Sequence, residues 1–222
     1  MKLNLRQIIW CFLFKIKYMR ILIFYNLKRY KEKLRSLDKL NLDKNSTVFD
    51  IGANNGVVSQ YLFDRYSCTI HLFEPHPYCY EVLKNIFQNN HKIKIYNSAI
   101  SDTSERKKLF CSSRTNDIKD MSMTEVSSLE KHKRNVSQEN FRITKCISID
   151  EFINKFNFID FIKIDIEGHE YKIIPSLIKN INKINLIFCE MHGENHHSEF
   201  REDFEFWDKK LINLKATKFK YW

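Results

Sequence analysis

Two clusters of residues in this chain have the types and spacing to do chemistry. The first is the run Val48-Phe49-Asp50-Ile51-Gly52-Ala53-Asn54-Asn55-Gly56, where a short apolar stretch ends in a glycine turn that opens into a helix-like pattern. Roughly 20 residues on, a second apolar stretch ends in Glu74, the position at which a nucleotide-binding α/β unit grips a ribose diol. The second cluster is Asp165, Glu167, His169 and Glu170, followed by Glu190 and His192. All six follow strand-like runs, at the end of an open α/β sheet where ligands bind. A histidine there is poised near neutral pH to accept a proton from a hydroxyl, which makes His169 and His192 the candidate bases, with Asp165 either orienting the acceptor or lying against the group to be transferred.

What the glycine turn lacks narrows its ligand. A dinucleotide pyrophosphate calls for three glycines and a helix N-terminus facing phosphate. Here only Gly52 and Gly56 are present, with Asn54 and Asn55 between them. S-adenosylmethionine (SAM) carries no phosphate; Asp50 could take its ammonium and the turn amides its carboxylate. The turn therefore reads as a SAM site, with NAD as the weaker alternative.

Around these clusters the hydrophobic pattern alternates regularly. Strand-like runs fall at 46–51, 69–74, 93–98, 159–165 and 184–190, and helix-like stretches at 56–66, 78–90, 149–156, 169–181 and 200–214. Continuous apolar runs separated by helices imply a mostly parallel, doubly wound sheet with helices on both faces. Between 101 and 147 the pattern changes. Short β-prone pieces, 107–111 and 141–147, flank a polar stretch at 112–128 that reads as a lid or substrate loop. The last strand-like run is 216–222.

Bulk composition limits the alternatives. With 222 residues, 43% hydrophobic, 18 Phe and only 4 Gly, the chain suits one sizeable α/β domain with an appendage. Six cysteines (11, 68, 79, 111, 146 and 189) show no paired spacing, which points to reduced, buried thiols and a cytoplasmic setting. The net charge of +10 is unevenly placed. Residues 1–35 hold ten Lys/Arg against Glu32 alone, a net +9, while the other 27 basic and 26 acidic residues nearly cancel. A basic surface spread over the domain, as nucleic acid would require, is not expected. Residues 1–35 instead form a separate basic, apolar helical segment before a domain at 36–222. Lys15, Lys17 and Arg20 make it a poor membrane span, and it has no signal-peptide cleavage site. Its basic stripe fits either an anionic membrane surface, giving a peripheral protein, or packing on its own domain.

At this point the motifs match a known family. VFDIGANNG, LFEPHP (72–77), NSAISD (97–102), SIDEF (148–152), IDFIKIDIEGHE (159–170) and FCEMH (188–192) resemble, in order and spacing, the FkbM family of SAM-dependent methyltransferases. The resemblance implies a Rossmann-like class I methyltransferase fold. It also implies methyl transfer to a hydroxyl oxygen of a glycan, glycolipid or polyketide-like acceptor. It puts Asp50, Gly52, Asn54 and Gly56 on the methionine end of SAM, Glu74 on both ribose hydroxyls, and Ser98 and Ala99 at the adenine edge. Catalysis falls to Asp165, His169, His192 and Glu190. A divalent metal on Asp165, Glu190 and His192 is a less favoured alternative. The other readings are a non-enzymatic SAM-binding module and an NAD-dependent oxidoreductase. The basic N-terminal segment lies outside the motif set, and a sheet short of its seventh strand is one expectation.

Overall fold

The computed structural model describes residues 33–114, 124–193, 198–215 and 218–222. Most of the basic segment therefore lies outside the described residues, and so does the membrane expectation attached to it. Six parallel strands form the main sheet: β1 (Thr47–Ile51), β2 (Thr69–Phe73), β3 (Ile93–Tyr96), β7 (Ile159–Ile164), β8 (Ile184–Cys189) and β9 (Phe219–Tyr221). Their order is β3-β2-β1-β7-β8-β9, with every neighbouring pair parallel. The order reverses direction at β1, and this switch point opens a crevice beyond the strand C-termini.

Strand alternation divides the apolar residues between two cores. Phe49, Ile51, Ile162, Ile164 and Ile187 pack on one face with α3 (Ile149–Ile153) and α4 (Glu170–Lys179). Val48, Ile70, Leu72, Phe161 and Phe188 pack on the other, with α1 (Val57–Tyr66) and α2 (Pro77–Phe87). Two further helices, α5 (Arg201–Lys210) and α6 (Ile212–Lys215), lead into β9. Among the described residues no helix is long and apolar enough to cross a membrane.

Two expectations shift. The third strand ends at Tyr96, and Ala99 begins β4 (Ala99–Ser101) in a separate sheet of order β4-β6-β5. There β5 (Arg106–Ser112) pairs antiparallel with β6 (Val136–Ser148), so the segment read as a lid is rooted in a hairpin. The domain boundary expected at residue 35 also falls inside packed structure. Residues 33–37 are helical, and Leu34, Leu37 and Leu40 are buried in the second core. The five described cysteines are free and buried, as the reduced-thiol reading expects.

Because Leu37 is fully buried, Leu37→Ala should cost about 2–5 kcal/mol of stability. A urea midpoint unchanged by this substitution would show that residues 33–40 are an appendage.

Candidate functional site

The glycine turn after β1 is a sequence of left-handed residues: Gly52 at φ 79°, Asn54 at φ 47° and Gly56 at φ 77°. The first position admits only glycine, because a Cβ on Gly52 would stand 1.8 Å from the Asp165 carbonyl oxygen. At Gly56 a Cβ would meet Leu83 at 2.5 Å, so that glycine lets α1 start close against α2. The turn is thus pressed between the ends of β2 and β7. Gly52 and Ala53 both donate to the Phe73 carbonyl, and Asp165 donates to that of Ile51.

Asp50 and Lys163 are register partners on β1 and β7, so their side chains share one face. Asp50 is fully buried, accepts from Ser59 at 2.7 Å and lies 3.3 Å from the Lys163 ammonium. That ammonium also donates to the Gly52 carbonyl at 2.6 Å. Asp50, expected to meet the SAM ammonium, thus has a protein cation as its neighbour. Asp50 anchors the turn from below instead of facing a ligand.

Glu74 closes β2 as expected. Its Oε2 accepts from the Asn54 amide at 2.7 Å and its Oε1 from the His76 amide at 2.8 Å. A carboxylate has about four acceptor positions, so two remain for a diol. Burial pushes its pKa up to about 7, against the pull of the two amides. Ser98 and Ala99 are both buried beside this strand end, at the start of β4. Asn97 ties the region together by donating to the Glu74 carbonyl at 3.0 Å.

The second cluster is organised by Glu170. This fully buried carboxylate accepts from the Ile166 amide at 3.0 Å and the Gly168 amide at 2.9 Å, bending the loop after β7 over the start of α4. Its Oε1 also meets His192 Nδ1 at 3.0 Å. The other ring nitrogen of His192 lies 3.4 Å from Glu167. Burial alone would lower the pKa of His192, but Glu170 and Glu167 together raise it to about 11. Both ring nitrogens of His192 are thus engaged by carboxylates that favour its protonated form. The base role read for it from sequence does not fit this geometry.

His169 is also committed. Its Nδ1 meets Glu130 at 2.6 Å and its Nε2 meets Ser101 Oγ at 2.9 Å. The spacing is that of a Ser-His-Glu triad, yet Ser101 is fully buried and Lys107 bonds the same hydroxyl at 2.9 Å. The arrangement fastens β4, α4 and the segment after β5 to one another. Glu190 forms an ion pair with Lys33, whose ammonium also lies 4.9 Å from the Trp222 ring centre.

Asp165 is the exception. A quarter of its side chain is exposed, and its nearest cation, Lys163, is 3.9 Å away. Burial raises its pKa to about 7; Lys163 and His192 oppose the rise, and Glu190 and Glu167 add to it. Three groups, Asp165, Glu167 and His192, bring ligand atoms within 4.8 Å of one another, a spacing that a divalent ion could bridge. Glu190 is not among them. Glu167 already meets the buried Lys133 ammonium at 2.6 Å, and a metal would have to displace that cation and the His192 proton.

Several of these residues escaped the sequence reading. Lys163 was hidden in an apolar strand, although a lysine there signals a buried partner. Glu130 and Lys133 lie just beyond the polar lid stretch, and Ser128 is its last residue. Ser128 donates to the Glu167 carbonyl at 2.7 Å, and Thr124 to Asn54 at 3.3 Å, so this segment touches both clusters.

A parallel sheet of this order, a glycine turn after β1 and a carboxylate closing β2 define a Rossmann-like domain of the methyltransferase type. The family model of the methyltransferase FkbM domain matches residues 50–221, and the chain belongs to that family. Membership of a methyltransferase family implies SAM as the cofactor and gives no support to the nicotinamide alternative. Among solved structures, the 23S rRNA methyltransferase ErmE is similar at 21% identity over 30% of this chain and 27% of that one. Its TM-score of 0.27 gives that likeness no weight here. No curated protein matches the chain.

Glu170→Ala should cost about 3–5 kcal/mol, because it leaves the His192 imidazolium buried without its main partner. Equal urea midpoints for wild type and variant would refute the bracing role.

Proposed function

We propose that this chain transfers a methyl group from SAM to a hydroxyl oxygen of a glycan, lipid-linked or polyketide-like acceptor, with Asp165 as the general base. The observation that carries this reading is Asp165 itself. It is partly exposed, it borders the glycine turn, and its nearest cation stands at 3.9 Å, farther than the cations that hold Glu167, Glu170 and Glu190.

The residues present fit SAM. Glu74 keeps two acceptor positions for ribose hydroxyls, and the turn at 52–56 offers backbone without a basic side chain that would select phosphate. SAM supplies, when bound, a methyl group made electrophilic by the sulfonium. Asp165 accepts the hydroxyl proton as the oxygen attacks, and a pKa near 7 suits that task at neutral pH. Glu170 and the His192 imidazolium fix the loop that carries Asp165. Holding acceptor and donor in line in a site shielded from water supplies most of the remaining acceleration.

Methyl-labelled SAM offered to fractionated cell-surface glycans and lipids would identify the acceptor. On that acceptor, Asp165→Asn should slow turnover about 10²–10⁴-fold with little change in SAM affinity. A base must be deprotonated to act, so wild-type turnover should rise with pH through about 7 and then level. Glu74→Ala should weaken SAM binding by about 2–3 kcal/mol through loss of two charge-assisted hydrogen bonds. Wild-type turnover by Asp165→Asn would place the base elsewhere. Loss of activity on chelation, restored by Mg²⁺, would put a metal in its place.

A further inference from the structure

We propose that Lys163 is a positioning residue that couples the cofactor turn to the catalytic base, so that one buried ammonium sets both SAM affinity and the state of Asp165. The inference rests on the functional reading above. Its basis is geometric. The ammonium bonds the carbonyl of Gly52 at 2.6 Å, lies 3.3 Å from Asp50 and 3.9 Å from Asp165, and is almost completely buried. It therefore touches the left-handed turn, the strand beneath it and the base opposite it at once.

Each contact has a separate consequence. The bond to the Gly52 carbonyl fixes the peptide that begins the turn and so orients the amides that follow it. The ion pair with Asp50 keeps a fully buried carboxylate from standing uncompensated. The contact with Asp165 opposes the negative charges that face it, Glu167 on its own loop and Glu190 beyond β8; His192 is the other cation that helps. Trp222, whose ring centre is 5.5 Å from the ammonium, covers it from the sheet edge. An uncharged residue of similar length could fill the space but could serve neither the turn nor the base.

The test uses SAM and the full-length chain, and needs no acceptor. SAM binding to wild type is measured first by calorimetry. The Asp165 carboxyl is then titrated by carbon NMR, with the signal assigned by its loss in Asp165→Asn. Lys163→Met is the direct variant; because it strands Asp50 in the core, Asp50→Asn/Lys163→Met is made beside it. The double variant should bind SAM at least about tenfold more weakly. Its Asp165 midpoint should rise by about one pH unit or more, the size of effect an opposite charge at this range exerts. A merely structural lysine would leave that midpoint in place once the fold is intact. Wild-type binding of SAM combined with an unmoved midpoint or an unchanged affinity in the folded double variant would overturn this inference alone. Failure of the wild-type chain to bind SAM would overturn the functional reading and this inference with it.

Discussion

The ends of β1 and β7 approach so closely that only glycine fits at residue 52, and the site depends on that contact. It puts the cofactor turn against the loop that carries Asp165, two segments more than 100 residues apart in sequence. Backbone bonds extend the sheet past its formal strand ends at Gly52, Asp165, Glu190 and Trp222. The functional loops therefore inherit the rigidity of the sheet, and the left-handed turn is held from below by a buried carboxylate and ammonium.

Charge in the second cluster is arranged by the same economy of space. Five carboxylates, Glu125, Asp165, Glu167, Glu170 and Glu190, gather around the crevice, and Lys33, Lys133, Lys163 and His192 meet the last four of them. Burial raises the carboxyl pKa of Asp165 and Glu125, while His192 and Lys133 pull that of Glu167 down to about 2. The result is a division of labour among similar groups: Glu167 and Glu170 are taken up as structural anchors, and the Asp165 carboxyl is the one held up near 7.

The fold was largely legible because its strands are continuous apolar runs and its helices keep a regular period. All the main-sheet strands lie within two or three residues of the expected bounds. The turn at 52–56 and Glu74 could be read from residue type alone, since each is a local feature. What residue type does not carry is the partner each group meets. Asp50 and the two histidines have the chemistry expected of them, but partners distant in sequence take up that chemistry: Lys163 for Asp50, Ser101 and Glu130 for His169, Glu167 and Glu170 for His192. Sequence spacing does not reveal which groups meet across a sheet. The change in net charge at residue 35 does not coincide with a change in packing among the described residues, since Leu34 and Leu37 are core residues.

The central claim is that the glycine turn with Glu74 and the loop with Asp165 form the two sides of a single methyl-transfer site. A crystal structure with S-adenosylhomocysteine tests it most directly. The account predicts both ribose hydroxyls on Glu74, the amino-acid end along the 52–56 turn, and the sulfur facing the exposed edge of Asp165. A nucleoside seated away from Glu74, or a sulfur turned from Asp165, would contradict it.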